Sequence, residues 1–268
     1  MSLDFVSLGN LSVRRLILGS NPFSGFSHQT PLMDVAMRSY FTTQCIKDTL
    51  RQAEGLGVNT LIARADHHVL RLLFEYWQEG GALQWIAQTC PELGSVMQGV
   101  QNAINGGAKA CYIHGGSMDY MLANDQLDEV PDIIARIRDA GLAAGVAGHN
   151  PRVFEWADEH LDVDFYMCSY YNPTSRDKIA GHISGAEECF DDTDRENMAT
   201  LIQRLSKPAI HYKVLAAGRN NPDDAFAYVA RHLRFNDAVC VGVYPKDHPD
   251  MLTENIQLLE KHYQTAIA

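Results

Sequence analysis

Short apolar runs alternate with helix-period segments along this chain, and the alternation occurs eight times. Each run is nearly continuous in apolar character, which is typical of a parallel strand covered on both faces. The runs lie at residues 15–20, 58–63, 83–87, 110–114, 143–147, 165–169, 209–214 and 238–243.

The segments between the runs carry apolar residues at helical spacing. They span residues 43–56, 69–79, 95–105, 129–140, 152–160, 194–205, 223–233 and 250–263. Eight strand–helix units predict an α/β chain that folds as a single-domain (β/α)8 TIM barrel over residues 1–268. A doubly wound open sheet is the alternative, although such sheets usually have fewer units.

Two predicted connections are longer than the few residues that usually join such elements. They span about residues 21–42, after the first strand, and about residues 171–194, after the sixth. Both follow strands, and the ends of the strands form the active-site face of a barrel. The second loop is rich in Gly, Ser and charged residues, so we expect either a lid over the site or a solvated surface excursion.

The amino-acid composition limits the classes of molecule that this chain can bind. The 268 residues include 22 Lys and Arg against 33 Asp and Glu, a net charge of −11, with no stripe of basic residues. This charge distribution excludes a nucleic-acid footprint. No apolar run reaches the ~20 residues of a membrane helix. We therefore expect a small-molecule substrate. The amino terminus lacks the features of a signal peptide. Six cysteines without a CxxC pair predict reduced thiols and a cytoplasmic protein.

Candidate catalytic residues stand where the predicted strands end. Asp66 and His67 follow the second strand, where the carboxylate could orient the imidazole or simply cap the next helix. His114 ends an apolar strand and is either catalytic or a hydrogen-bonded core histidine. Lys213 interrupts another apolar run, so it needs a partner or an anionic ligand unless it points outward.

Imidazoles from separate strands could also bind a metal ion. His67, His114 and His149 could converge, joined by His211 or Cys168, and neutral imidazoles suit Zn, Fe or Mn. No spacing in the sequence is diagnostic, so no residue is assigned as a metal ligand.

Several short motifs, in order along nearly the whole chain, resemble the aldo-keto reductase family. They are Leu16–Asn21, Gly55–Asn59, Tyr112–His114, Gly145–Pro151, Tyr170–Pro173, Tyr212–Gly218 and Gly242–Asn255. The resemblance implies a barrel oxidoreductase that uses NAD or NADP and has His114 in its catalytic site. It also implies a cofactor site made of Asn21, His149, Asn150, Tyr212, Glu254 and Asn255.

The catalytic tetrad of that family matches this chain only at His114. The family's Asp falls at Ile62, its Tyr at His67, and its Lys at Gln88 or Thr89. Met251 stands where an Arg usually meets the 2′-phosphate of NADP. The resemblance therefore implies a remodelled site, because the family's tyrosine proton donor is missing.

Three hypotheses follow. The first is an oxidoreductase-like enzyme that uses a His-based acid–base site on a small polar carbonyl or sugar-like substrate. The second is a metal-dependent sugar isomerase or epimerase. The third is a barrel that binds a ligand without catalysis, since one fold hosts many functions.

Overall fold

Eight parallel strands close into a barrel in the computed structural model, which describes residues 4–267. The barrel strands are β3 (Leu16–Gly19), β4 (Thr60–Arg64), β5 (Gln84–Gln88), β6 (Ala110–Ile113), β7 (Ala143–Gly148), β8 (Phe165–Ser169), β9 (Ala209–Tyr212) and β10 (Ala238–Gly242). Each strand pairs with its neighbours in sequence, and β10 pairs with β3 to close the ring. The predicted (β/α)8 barrel is confirmed.

Helices surround the barrel and pack their apolar faces on it. They are α1 (Pro31–Tyr40), α2 (Thr43–Gly55), α3 (His67–Gln78), α4 (Val96–Asn105), α5 (Gly115–Ala123), α6 (Val130–Asp139), α7 (Pro151–His160), α8 (Asp192–Ile202), α9 (Pro222–His232) and α10 (Met251–Ile267). Side-chain caps fix several starting points; for example, Thr42 and Ser95 accept the backbone N–H groups of Cys45 and Gln98. No helix within residues 4–267 is both long and apolar enough to cross a membrane.

Two helices were absent from the sequence prediction. Helix α1 lies inside the predicted loop 21–42, and its Leu32 and Val35 are exposed, so its apolar residues do not mark one buried face. Helix α5 begins directly after His114, and its first five residues are all buried. A helix buried on every side has no one-sided pattern for a sequence to reveal.

An amino-terminal hairpin closes the end of the barrel opposite the strand carboxyl termini. It comprises β1 (Phe5–Leu8) and β2 (Leu11–Arg14), antiparallel strands joined at Gly9, whose φ of +60° is a left-handed conformation. Val6, Leu8, Leu11 and Val13 are buried against the apolar residues inside the barrel. The hairpin was not predicted, because buried and exposed residues alternate along its strands, whereas the prediction followed nearly continuous apolar runs.

A buried ionic network ties the last two strands together near the hairpin. The Asp237 carboxylate accepts the N–H of Ala209 (2.8 Å) and two guanidinium bonds from Arg234 (both 2.9 Å), and it lies 3.3 Å from His211 Nε2. The Asp237 carbonyl accepts a bond of 2.8 Å from Arg15. Burial alone would raise the pKa of Asp237, but the bonds from His211 and Arg234 outweigh it and hold the pKa well below its usual range.

We expect Asp237→Asn to lower the free energy of unfolding by about 3 kcal/mol at neutral pH, because it breaks a buried ionic network. Since the folded-state pKa of Asp237 is lowered, its stabilising effect is complete above the unfolded carboxyl pKa of about 3.9 and is lost as pH falls below that value. Urea denaturation at several pH values measures both effects.

Asp162→Asn is the matched control, because the Asp162 side chain is 71% exposed. We expect it to change the free energy of unfolding by less than about 0.5 kcal/mol. A loss for Asp237→Asn no larger than that of the control, or one independent of pH down to about 2, would contradict the account.

Candidate active site

A cavity of about 330 Å³ opens at the carboxyl ends of the barrel strands. Side chains from the ends of several strands and from both long loops line it, as expected for the functional face of this fold. Its polar lining includes Asn21, His28, Arg64, Gln88, Glu92, Tyr112, His114, His149, Arg176, His182, Tyr212 and Lys213.

The two long loops meet over this cavity. The loop of residues 170–191, between β8 and α8, contributes Arg176 and His182 to the lining. It is tied to α1 by a hydrogen bond from Ser184 Oγ to Asp34, and to α5 by a bond from Asn124 to the Asp177 carbonyl (2.9 Å). The loop for which the sequence left open a lid or a solvated surface excursion is therefore part of the cavity wall.

A chain of three side chains joins both loops to the end of β9. Lys213 Nζ lies 2.8 Å from His28 Nε2, and His28 Nδ1 lies 2.7 Å from Glu188 Oε1. The backbone φ of Lys213 is +58°, a conformation uncommon for a residue other than glycine. Tyr212 and Lys213 are consecutive, yet both line the cavity, whereas successive residues of a regular strand point to opposite faces.

Burial sets the protonation of this chain. Desolvation, with Lys213 nearby, lowers the pKa of His28 to about 3, so the imidazole is neutral. Burial would raise the pKa of Glu188, but the bond from His28 lowers it, so the group is a carboxylate. His28 therefore donates through Nδ1 to Glu188 and accepts from Lys213 through Nε2. Desolvation, with Arg176 and Arg219 nearby, lowers the pKa of Lys213 to about 7 against the opposing effect of Glu188.

A second hydrogen-bonded group stands at the ends of β7 and β9. His149 Nδ1 lies 2.6 Å from Asp119, which also accepts the backbone N–H groups of His149 and Asn150 (both 3.1 Å). Tyr212 Oη lies 3.3 Å from His149 Nε2. Burial lowers the pKa of His149 although Asp119 opposes the shift, and burial raises the pKa of Tyr212 well above its usual range. Hydrogen bonds therefore connect the cavity to Asp119 through Tyr212 and His149.

The structure brings together five of the ten residues that the sequence analysis proposed. His114 and Lys213 line the cavity, together with Asn21, His149 and Tyr212. Burial lowers the pKa of His114 well below its usual value, and its Nδ1 atom has no hydrogen-bond partner among the described residues.

The other five proposed residues lie outside the lining of the cavity. Asp66 caps α3 through the N–H of Val69 (3.0 Å) and pairs with Arg64 (2.9 Å). His67 is exposed, and within residues 4–267 no hydrogen bond joins it to Asp66. Asn150 caps α7.

The remaining two proposed residues belong to α10. Glu254 lies 2.7 Å from His248, and Asn255 is buried in the helix. Asn150, Glu254 and Asn255 are therefore outside the lining of the cavity, whereas Met251 at the start of α10 lines it, and the nicotinamide site stays a prediction.

Sequence reasoning missed His28, Asp119, Arg176, His182 and Glu188. Four of them lie in the two long loops, where no periodicity positions a side chain. Loop length alone indicated that these segments carry function. Asp119 lies on the unpredicted helix α5.

A metal ion could be held at a different place from the one proposed. Within residues 4–267, ligand atoms of His28, His182 and Glu188 lie within 4.8 Å of one another. Of the histidines proposed from the sequence, His114 and His149 line the cavity, whereas His67 is exposed and His211 is buried beside Asp237. The three loop residues suit a divalent metal by ligand type, although His28 and Glu188 already bond each other.

We expect Gly116→Ala to displace the 170–191 loop, because a Cβ there would collide with the Ala180 carbonyl oxygen and lie 3.0 Å from His114 Cε1. Overpacking of this kind costs roughly 1–3 kcal/mol. Limited proteolysis should cut the loop faster in this variant. Gly181→Ala is the control, since the nearest neighbour of its Cβ would be 4.0 Å away, and equal cleavage of both variants would contradict the packing described.

No protein-family model matches the chain, and no curated protein matches it in sequence. Solved structures do match it. One is a protein from Pseudomonas aeruginosa provisionally assigned as an aldo-keto reductase, with a TM-score of 0.67, 16% identity and 98% of both chains covered.

An aldo-keto reductase from Bacillus halodurans, in its holo form, has a TM-score of 0.63 and 11% identity, with 98% of this chain and 94% of that chain covered. A truncated 3-deoxy-D-arabino-heptulosonate 7-phosphate synthase from Thermotoga maritima has a TM-score of 0.60 and 12% identity, with 98% and 93% covered. At these identities the likeness shows the barrel fold alone. The resemblance to aldo-keto reductases is thus confirmed for the fold, which other barrel enzymes share.

Proposed function

We propose that this chain is an enzyme that acts on a small polar carbonyl or sugar-like compound, with Lys213 as its reacting amine. One observation carries the proposal. Lys213 and a neutral imidazole, that of His28, line the cavity and are hydrogen-bonded to each other, and the Glu188 carboxylate orients the imidazole from outside the cavity lining. A nucleophile, a base and a group that orients the base form the arrangement by which enzymes activate weak nucleophiles.

The hydrogen bonds define the first chemical step. The lowered pKa of Lys213 leaves part of the amine unprotonated at neutral pH, and Glu188 orients His28 to take a proton from the amine nitrogen as its bond to carbon forms. The free amine attacks the carbonyl carbon to give a carbinolamine. Loss of water from the carbinolamine gives an imine, in which the carbonyl oxygen leaves as water and the C=N bond replaces the C=O bond.

The group of Tyr212, His149 and Asp119 supplies the second proton path. Tyr212 precedes Lys213 in the chain, and its hydroxyl is bonded to the imidazole of His149. A hydroxyl in this position can protonate the departing oxygen and be reprotonated through His149. An imine then acidifies the adjacent carbon, which suits an isomerase or a carbon–carbon lyase acting on a sugar-like substrate.

The oxidoreductase hypothesis predicts a nicotinamide site, and three of its six residues line the cavity. Asn21, His149 and Tyr212 are present at the cavity, but Asn150, Glu254 and Asn255 are engaged elsewhere. Gln88, one of the two positions of the family's Lys, instead accepts a hydrogen bond of 2.7 Å from Tyr112. The proposed mechanism therefore contains no hydride transfer.

We expect borohydride to trap an imine at Lys213. Glycolaldehyde, glyceraldehyde, dihydroxyacetone and pyruvate are each incubated with the protein and sodium borohydride, and the adduct is located by mass spectrometry. At least one carbonyl compound should give one adduct per chain at Lys213. His28→Ala should slow trapping by about 10²-fold, because a positioned general base contributes this much.

Lys246→Arg is the control, because Lys246 is an exposed lysine in a neighbouring loop. Trapping at Lys213 should persist in that variant and disappear in Lys213→Met. If all four compounds label surface lysines as readily as Lys213, the imine proposal fails. Saturable binding of NAD or NADP would then favour the oxidoreductase hypothesis.

The metal-dependent alternative rests on the proximity of His28, His182 and Glu188, and on His182, whose two ring nitrogens have no hydrogen-bond partner within the described chain. Under the proposed mechanism, EDTA treatment should leave imine trapping unchanged. Elemental analysis that finds about one Zn, Fe or Mn per chain, lost in His182→Ala together with activity, would overturn the mechanism in favour of that alternative.

A further inference from the structure

Arg176 is a buried cation without an anionic partner. Only 8% of the residue is exposed, and it lies in the 170–191 loop with its side chain in the cavity wall. Its Nη1 donates to the carbonyl of Gly181 (2.7 Å), and its Nε has no hydrogen-bond partner. Within residues 4–267, no carboxylate forms an ion pair with it. A buried guanidinium in this state is costly unless a ligand completes it.

The rest of the cavity does not supply the missing charge. Glu92 is the one carboxylate among the described lining residues, and it is already paired with Arg64 (3.1 Å). Glu188 is bonded to His28. The imidazoles near Arg176 are neutral, since burial lowers the pKa of both His114 and His149. The cavity is therefore cationic, although the whole chain has a net charge of −11.

Unpartnered nitrogen atoms accompany Arg176 at the cavity. His114 Nδ1 and both ring nitrogens of His182 are buried and have no hydrogen-bond partner among the described residues, although His182 Nδ1 lies 4.0 Å from Glu188. Each neutral imidazole can donate one hydrogen bond. The oxygen atoms of an oxyanion would accept hydrogen bonds from these imidazoles and from the Arg176 guanidinium. A planar guanidinium favours such a ligand, because its parallel N–H groups match the oxygen atoms of a carboxylate or a phosphate.

We propose that the substrate carries an oxyanionic group, a carboxylate or a phosphate, that binds to Arg176 while its carbonyl faces Lys213. This inference rests on the proposed function, because it names the substrate class of the same cavity. It also explains why a loop that lines the site carries a buried arginine. The substrate is then a keto acid, a sugar acid or a sugar phosphate rather than a neutral sugar.

The test measures binding without turnover. Isothermal titration is performed with inorganic phosphate, with glycolate, and with glycolamide, which has the shape of glycolate but no charge. We expect saturable binding of phosphate or glycolate and none of glycolamide. The tighter of the two anions identifies the group as a phosphate or a carboxylate.

Arg176→Met should weaken anion binding by at least about tenfold, because it removes charge-assisted hydrogen bonds. It should also leave the melting temperature of the ligand-free protein unchanged or higher, since it removes an unpaired buried charge. If Arg176→Met fails to fold, Arg176→Lys keeps the charge without the fork and should weaken glycolate binding. Lys178→Gln, an exposed residue of the same loop, should change neither property.

Two results would overturn the inference: no saturable binding of either anion by the native protein, or unchanged binding in Arg176→Met. These results are separate from the trapping experiment on Lys213. If an imine forms but no anion binds, the anionic substrate class is rejected and the role of Lys213 stands. If anions bind in a way that depends on Arg176 but no imine forms, the role of Lys213 is rejected and the anion site stands.

Discussion

The arrangement of the site depends on the burial of one amine, that of Lys213, at the carboxyl end of an apolar barrel. An ammonium group there loses hydration, and the groups around Lys213 compensate only in part. Its hydrogen-bond partner is a neutral imidazole, and the nearest negative charge is one side chain further away, on Glu188. The pKa of Lys213 is therefore lowered to about 7, so both the ammonium and the free amine are present at neutral pH. The lowered pKa of Lys213 thus arises from packing, without any unusual chemical group.

The same desolvation explains why a cavity rich in histidine is not highly charged. Burial holds His28, His114 and His149 neutral, so their ring nitrogens act as directional donors and acceptors. The fixed positive charge comes from arginine, which stays protonated in almost any environment. An acidic exterior and a cationic interior coexist because the cations lie at the strand ends and beneath the loops, away from the acidic surface.

Periodicity in the sequence predicted the barrel because parallel strands covered on both faces are nearly continuous apolar runs. It also located Lys213, His114 and His149, since a polar residue at the end of such a run must face the mouth or solvent. Asp66 shows the limit of this reasoning: the same position also suits a helix cap, and the structure uses it as one. His28 and Glu188 come together over a separation of 160 residues through loop packing, which no local pattern encodes.

The amino-terminal hairpin closes one end of the barrel, and the cavity opens at the other end. Val6, Leu8, Leu11 and Val13 fill one end, and the apolar side chains of the strands fill the interior above them. Any molecule that reaches Lys213 must therefore pass the segments that carry His28 and Arg176, and whatever is released must leave by the same route. Entry and exit therefore share one route, and its walls are loop segments that only tertiary contacts hold in place.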